Sequence, residues 1–127
     1  MDAKPCAIPK AERLSSLAAV RRLFADGASG FVYPFRYTML QEKSTSPSVE
    51  VLFSVPKRFH KRANKRNLLR RRTKEAYRLN KMPLWATAAE RGVAVDVALV
   101  YSSKEVLPYK TIDNAVRRIL QEVVERC

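Results

Sequence analysis

The sequence is poor in the residues from which active sites are usually built. Its 127 residues include two cysteines, three glycines and one histidine. The cysteines, Cys6 and Cys127, stand near the two chain ends. Two such thiols make neither a disulfide framework nor a metal cluster, and reduced thiols in a cytoplasmic protein are expected. No apolar run reaches the roughly 18 residues that a membrane span requires. Met1 to Lys10 lacks an apolar core, so no secretory signal is expected there. Asp26, Glu42, Glu50, Asp96 and Asp113 are scattered, with no Asp-x-Asp, no metal-spaced pair and no Ser/His/Asp set. Metal-assisted phosphodiester cleavage needs clustered carboxylates or histidines, so no autonomous catalytic residues and no protein-bound metal are expected.

What the sequence has in excess is positive charge. Twenty-five Lys and Arg stand against twelve Asp and Glu, a net charge of +13. Pro56 to Lys81 holds twelve of those bases and one acid, Glu75, so the rest of the chain is nearly neutral. A solvated helix face normally mixes signs, whereas a one-sign block suits a polyanionic partner. The apolar fraction, 46%, is enough for the core of one domain. Residues 1–12 read as a flexible tail and 13–127 as that domain.

Ser15 or Ser16 is placed to cap a helix running to Ala25 or Asp26, with Gly27 as its stop. Leu17, Val20, Leu23 and Phe24 give that helix an apolar stripe. Phe31, Tyr33, Phe35, Tyr37 and Met39 alternate as in a strand, and so do Val49, Val51, Phe53 and Val55. The short Ser44–Ser48 link between them suggests an antiparallel hairpin, which Pro56 closes. Asn64 is a candidate cap for a basic helix reaching Asn80 or Lys81. Pro83 and Gly92 bracket an expected loop containing Trp85. Val93 to Tyr101 reads as a buried strand. Thr111 would cap a last helix with Ile112, Ala115, Val116, Ile119, Leu120 and Val123 on one face. One sheet covered by helices, an α+β single domain, follows.

On a helical wheel with Leu69 at zero, Ala76 falls at about −20°, Leu79 at about −80° and Leu68 at about −100°. That side is expected to face the sheet. Arg70, Lys74, Asn67, Arg78 and Arg71 share an arc of about 100° opposite. Arginine forks bind phosphate oxygens in pairs and stack on bases. Asn67 could donate to a phosphate or a 2′-hydroxyl, or be a cap or a solvated amide. Arg72 points nearer the core and is expected to snorkel or to pair with Glu75 or another acid. His60, inside the basic loop, reads as a surface RNA contact.

The run Lys65-Arg66-Asn67-Leu68-Leu69-Arg70-Arg71-Arg72-Thr73-Lys74-Glu75-Ala76-Tyr77-Arg78 resembles the signature helix of the bacterial ribonuclease P protein family, approximately R-N-R-x-K-R-x-x-R-E-x-[FY]-R. Leu68 departs from it, standing where the family usually has arginine. Phe53-Ser54-Val55-Pro56-Lys57-Arg58 resembles the family's strand end, and Arg13-Leu14, Leu23-Phe24 and Gly27 resemble its opening helix. The resemblance covers about residues 13 to 125. It implies an α-β-β-β-α-β-α sandwich akin to a ribosomal protein domain, with a left-handed β-α-β crossover. The general preference is for right-handed crossovers, so that handedness comes from the resemblance alone.

The resemblance further implies a protein subunit of ribonuclease P, an endoribonuclease that removes the 5′ leader of precursor tRNA, with catalysis and Mg²⁺ belonging to its RNA. Lys57, Arg58, Lys61, Arg62, Lys65, Arg66, Asn67, Arg70, Arg71, Lys74 and Arg78 would then contact the catalytic RNA. Phe24, Arg36 and Thr38 would lie near a cleft for the single-stranded leader, Phe24 as a stacking platform or simply as core. Val20 stands where the family tends to place a second cleft aromatic. Partners are expected to be the catalytic RNA and precursor tRNA, with no membrane and no stable protein partner. The alternative is a structural RNA-binding protein of ribosomal type. A duplex-DNA reader would set its helix beside a short-turn partner helix, not between strands. A membrane-surface helix would need a wide apolar flank beside its charges.

Overall fold

The computed structural model describes residues 13, 14 and 16–127. The expected tail (residues 1–12), Cys6 and the candidate cap Ser15 lie outside the described residues. The elements run α1 (Leu17–Asp26), β1 (Ala28–Val32), β2 (Phe35–Lys43), β3 (Ser48–Ser54), α2 (Ala63–Asn80), α3 (Met82–Arg91), β4 (Val93–Tyr101) and α4 (Tyr109–Arg126). The sheet order is β1-β2-β4-β3, with β4 antiparallel to β2 and parallel to β3.

The expected hairpin between the strands at 31–39 and 49–55 does not form, because β4 lies between them. β4 is buried at seven of its nine positions. Only an interior place, paired on both edges and covered on both faces, removes so much apolar surface from water. The expected strand from Phe31 to Met39 is two strands. A turn at Tyr33-Pro34, joined by a cis peptide, folds β1 back on β2 with Val32 opposite Phe35 and Phe31 opposite Arg36. Phe31 is thereby moved to the sheet face opposite that of Phe35, Tyr37 and Met39.

The loop expected around Trp85 is helix α3. Pro83 sits in its first turn, and Gly92 closes it in the left-handed region (φ 64°, ψ 47°), its N–H bonded to the Ala88 carbonyl. Proline at the start and glycine just past the end are helix punctuation, not loop punctuation. The caps also differ: Arg62 precedes α2 where Asn64 was expected, and Pro108 precedes α4 where Thr111 was expected, neither with a side-chain bond. Ser16 does cap α1, accepting from the Ala19 N–H. Gly27 does end α1, but in extended backbone (φ −75°). Its lack of a side chain matters sterically, since a Cβ there would stand 2.4 Å from the Leu23 carbonyl oxygen and 2.8 Å from that of Met39.

Helices α2, α3 and α4 cover one face of the sheet around Phe35, Tyr37, Val51, Val97, Leu99 and Tyr101, with all six expected α4 residues buried. Among the described residues α1 alone covers the other face, where Leu14, Leu23 and Ala98 form a second, smaller cluster. A ten-residue helix, about 15 Å long, cannot cover a whole sheet face. The part of that face that the described residues leave uncovered, and the outer side of α2, are where function has room.

Candidate nucleic-acid interface

The buried arc of α2 is Leu69, Thr73, Ala76 and Tyr77. Leu69 and Ala76 were expected there, but Leu79 is 59% exposed. The helix is rolled toward Tyr77, whose ring packs edge-on against Phe53 with centroids 5.7 Å apart. The roll draws the cations next to Tyr77 partly inward: Arg70 and Lys74 are half-buried while Arg71 stays exposed. Arg78, expected to be exposed, has a side chain only 9% exposed and spends its fork on Glu75, at 2.9 and 2.8 Å. Among the described residues Arg72 meets no acid; it donates to the Leu107 carbonyl.

The basic loop is equally specific in its bracing. Lys57, Arg58, Lys61, Arg62 and Lys65 are exposed. Arg58 stacks over Phe59, 4.9 Å from its ring centre. Arg66 instead donates to the carbonyls of His60 (3.0 Å) and Lys61 (2.8 Å), fastening the loop to the first turn of the helix. His60 is not a surface contact. It is 6% exposed, and its Nε2 meets the Ser103 carbonyl. The N-terminal turn of α2 carries no acid, so its partial positive charge adds to that of the exposed bases.

Between α2 and the β3 edge runs a groove of about 410 Å³ lined by Arg13, Phe53, Asn67, Arg70, Arg71, Lys74, Glu75 and Arg78. The Asn67 amide oxygen accepts from Arg70 at 3.2 Å. Burial first, then Arg13 and Arg70, hold the Lys74 amine below the usual lysine range. A cation so placed gains most from an anion. Arg13 was not among the sequence candidates. It precedes the first helix, outside any periodic pattern, and reaches the groove because it bridges to Val51 on the β3 edge.

On the opposite face, α1 crosses from β3, where the Leu14 N–H meets the Val51 carbonyl, to β2, where Gly27 touches Thr38. Leu23 faces the sheet. Arg22 leaves one flank and pairs with Glu42 at 2.6 Å. Phe24, about 200° round the helix from Arg22, leaves the other flank, toward the Arg36 end of β2. Phe24 is 49% exposed, so it is not core, and Arg36 is exposed. Thr38 is 4% exposed, with its hydroxyl 3.0 Å from that of Ser29, so it lies beneath the surface of this face. The two ends differ in charge. Toward Glu42, Asp96 stands beside Glu50, and burial followed by Glu50 raises its carboxyl above the usual range. Glu42, Glu50 and Asp96 thus mark one end of this face and the exposed Arg36 the other.

Among the described residues no three His, Cys, Asp or Glu side chains gather as a metal site, and no helix is long and apolar enough to cross a membrane. The ribonuclease P family model matches residues 8–124. The chain is 34% identical over 115 residues to the ribonuclease P protein component of Porphyromonas gingivalis, covering 89% of this chain and 83% of that one. Its fold matches the RNase P protein of Staphylococcus aureus (TM-score 0.70, 19% identity, 90% of this chain and 96% of that one). It also matches that of Thermotoga maritima (TM-score 0.68, 21% identity, 87% and 96%). With the basic helix, the sheet and the sequence all in agreement, this chain belongs to the ribonuclease P protein family, whose members are the protein subunit of the ribonuclease P holoenzyme.

Proposed function

We propose that the two surfaces divide the work of precursor tRNA processing. The loop from Lys57 and the outer side of α2, through Arg70, Arg71 and Lys74, hold the catalytic RNA. The cleft beside Phe24 and Arg36 holds the single-stranded 5′ leader of precursor tRNA, assisting its endonucleolytic removal. The RNA subunit, with its Mg²⁺, carries the phosphoryl chemistry, and the cytoplasm is the place of action. The observation that carries this reading is the separation of the surfaces: the one-sign block sits on α2 and its loop, while an exposed aromatic and an arginine sit across the sheet beside α1. Cations along a groove suit a folded RNA backbone; an aromatic beside a cation suits an unpaired strand. Single-turnover cleavage of precursor tRNA by the cognate RNA, with and without this protein at limiting Mg²⁺, tests it. Faster cleavage and tighter binding of precursor over mature tRNA are expected. RNA binding without any effect on cleavage would instead make the chain a structural RNA-binding protein.

A further inference from the structure

The cleft wall formed by α1 has one aromatic, Phe24, with Val20 and Leu17 along the same flank. The sheet supplies another. Phe31 on β1 is directly opposite Arg36 on β2, and opposed residues share a face with their Cβ atoms roughly 5 Å apart. Arg36 in turn pairs with Val100 of β4, and Val100 with Ser54 of β3. Phe31, Arg36, Val100 and Ser54 thus form a strip across all four strands, about 14 Å long at the usual strand spacing. The strip borders the flank of α1 that bears Phe24.

Phe31 is 55% exposed although its neighbours in β1 have found the core: Val32 packs against the main cluster, and Gly30 lies over the Tyr37 ring, where a Cβ would come within 2.6 Å. Its backbone is fixed by full pairing with β2. A half-exposed aromatic on a fixed strand, with an exposed guanidinium directly across from it, is the arrangement by which single-stranded nucleic acid is held: a face for the base and a charge for the phosphate.

We propose that Phe31 is a second stacking platform of this cleft, supplying from β1 the aromatic that α1 lacks at Val20. The inference rests on the leader-cleft reading above. It also fixes an order. The basic loop leaves the sheet from the end of β3, and β1 is the far edge from β3. A leader starting at a cleavage site near the bound RNA therefore reaches Phe31 after Phe24.

The test is equilibrium binding of reconstituted holoenzyme to mature tRNA and to precursors with leaders shortened one nucleotide at a time. Phe31→Ala should weaken long-leader precursor binding by about 5- to 150-fold, the range for losing one base stack. It should leave mature tRNA unchanged, and Phe31→Trp should retain affinity. As the leader shortens, the Phe31→Ala effect should vanish while that of Phe24→Ala persists. If Phe24→Ala acts and Phe31→Ala does not, or if the Phe31 effect survives on the shorter leaders, the platform is refuted and the cleft stands. If neither substitution separates precursor from mature tRNA, the cleft reading itself fails.

Discussion

The Nε2 of His60 lies 2.8 Å from the carbonyl oxygen of Ser103, so the imidazole donates across 43 positions of sequence. The same ring leans on Tyr101, with centroids 5.6 Å apart. Ser103 meets Tyr33 through its hydroxyl at 3.0 Å, and Tyr33 donates to Glu105 at 2.7 Å. One short segment after β4 therefore moors both the basic loop and the tip of the β1-β2 hairpin.

His60→Ala should therefore loosen the loop as well as remove a ring. Losing the buried bond and its packing is expected to cost about 1–3 kcal/mol in stability. It should raise amide hydrogen exchange at residues 57–62 more than in β4, and weaken catalytic-RNA binding. Unchanged exchange in the loop would show that Arg66 alone suffices to hold it.

Gly30→Ala should destabilise the fold by about 1–3 kcal/mol, because the added methyl meets a fully buried Tyr37 ring that has nowhere to retreat. Thermal unfolding of the free protein measures it. Tyr37 also donates to Glu122 on α4 at 2.6 Å, so a displaced ring should disturb that bond too.

Asp96 gives a pH dependence of known sign. Burial and Glu50 raise its carboxyl in the folded protein above the unfolded value. Ionised, it is therefore a cost that is present above the folded pKa and fades as pH falls through it toward the unfolded value. Asp96→Asn should raise the unfolding temperature at neutral pH, with the gain shrinking as pH falls below the folded pKa. A gain that grows toward acid would reverse the assignment.

The strand and helix periods made most of the fold legible: α1, β3, α2, β4 and α4 stand close to where the patterns put them. What the patterns miss is long-range. Nothing local to Val49–Val55 says that a strand more than forty residues later will lie between it and its sequence neighbour. Alternation from Phe31 to Met39 conceals a turn because Tyr33-Pro34 keeps the aromatic rhythm while reversing the chain. That concealment hid Phe31, whose apparent companions Phe35, Tyr37 and Met39 are core. In the basic helix, composition identified the charged segment, but the roll set by Tyr77 against Phe53 decided which cations face outward.

That roll gives the last prediction, which separates two kinds of arginine on one helix. Arg71 is exposed and lines the groove beside Lys74. Arg66 is half-buried, with its guanidinium donating to the carbonyls of His60 and Lys61. Arg71→Ala should weaken catalytic-RNA binding and make its salt dependence shallower by up to about one phosphate's worth of released counterion. It should leave the unfolding temperature of the free protein almost unchanged, since exposed substitutions usually stay within about 0.5 kcal/mol. Arg66→Ala removes charge-assisted bonds to two loop carbonyls, an effect of about 1–3 kcal/mol. It should lower the unfolding temperature as well as RNA affinity, and Arg66→Lys should restore only part of either, because an ammonium lacks the planar fork. Salt titrations of RNA binding and thermal melts on both variants decide the matter. If Arg66→Ala melts like the parent protein while losing as much RNA affinity as Arg71→Ala, then Arg66 is an RNA contact first and a brace second.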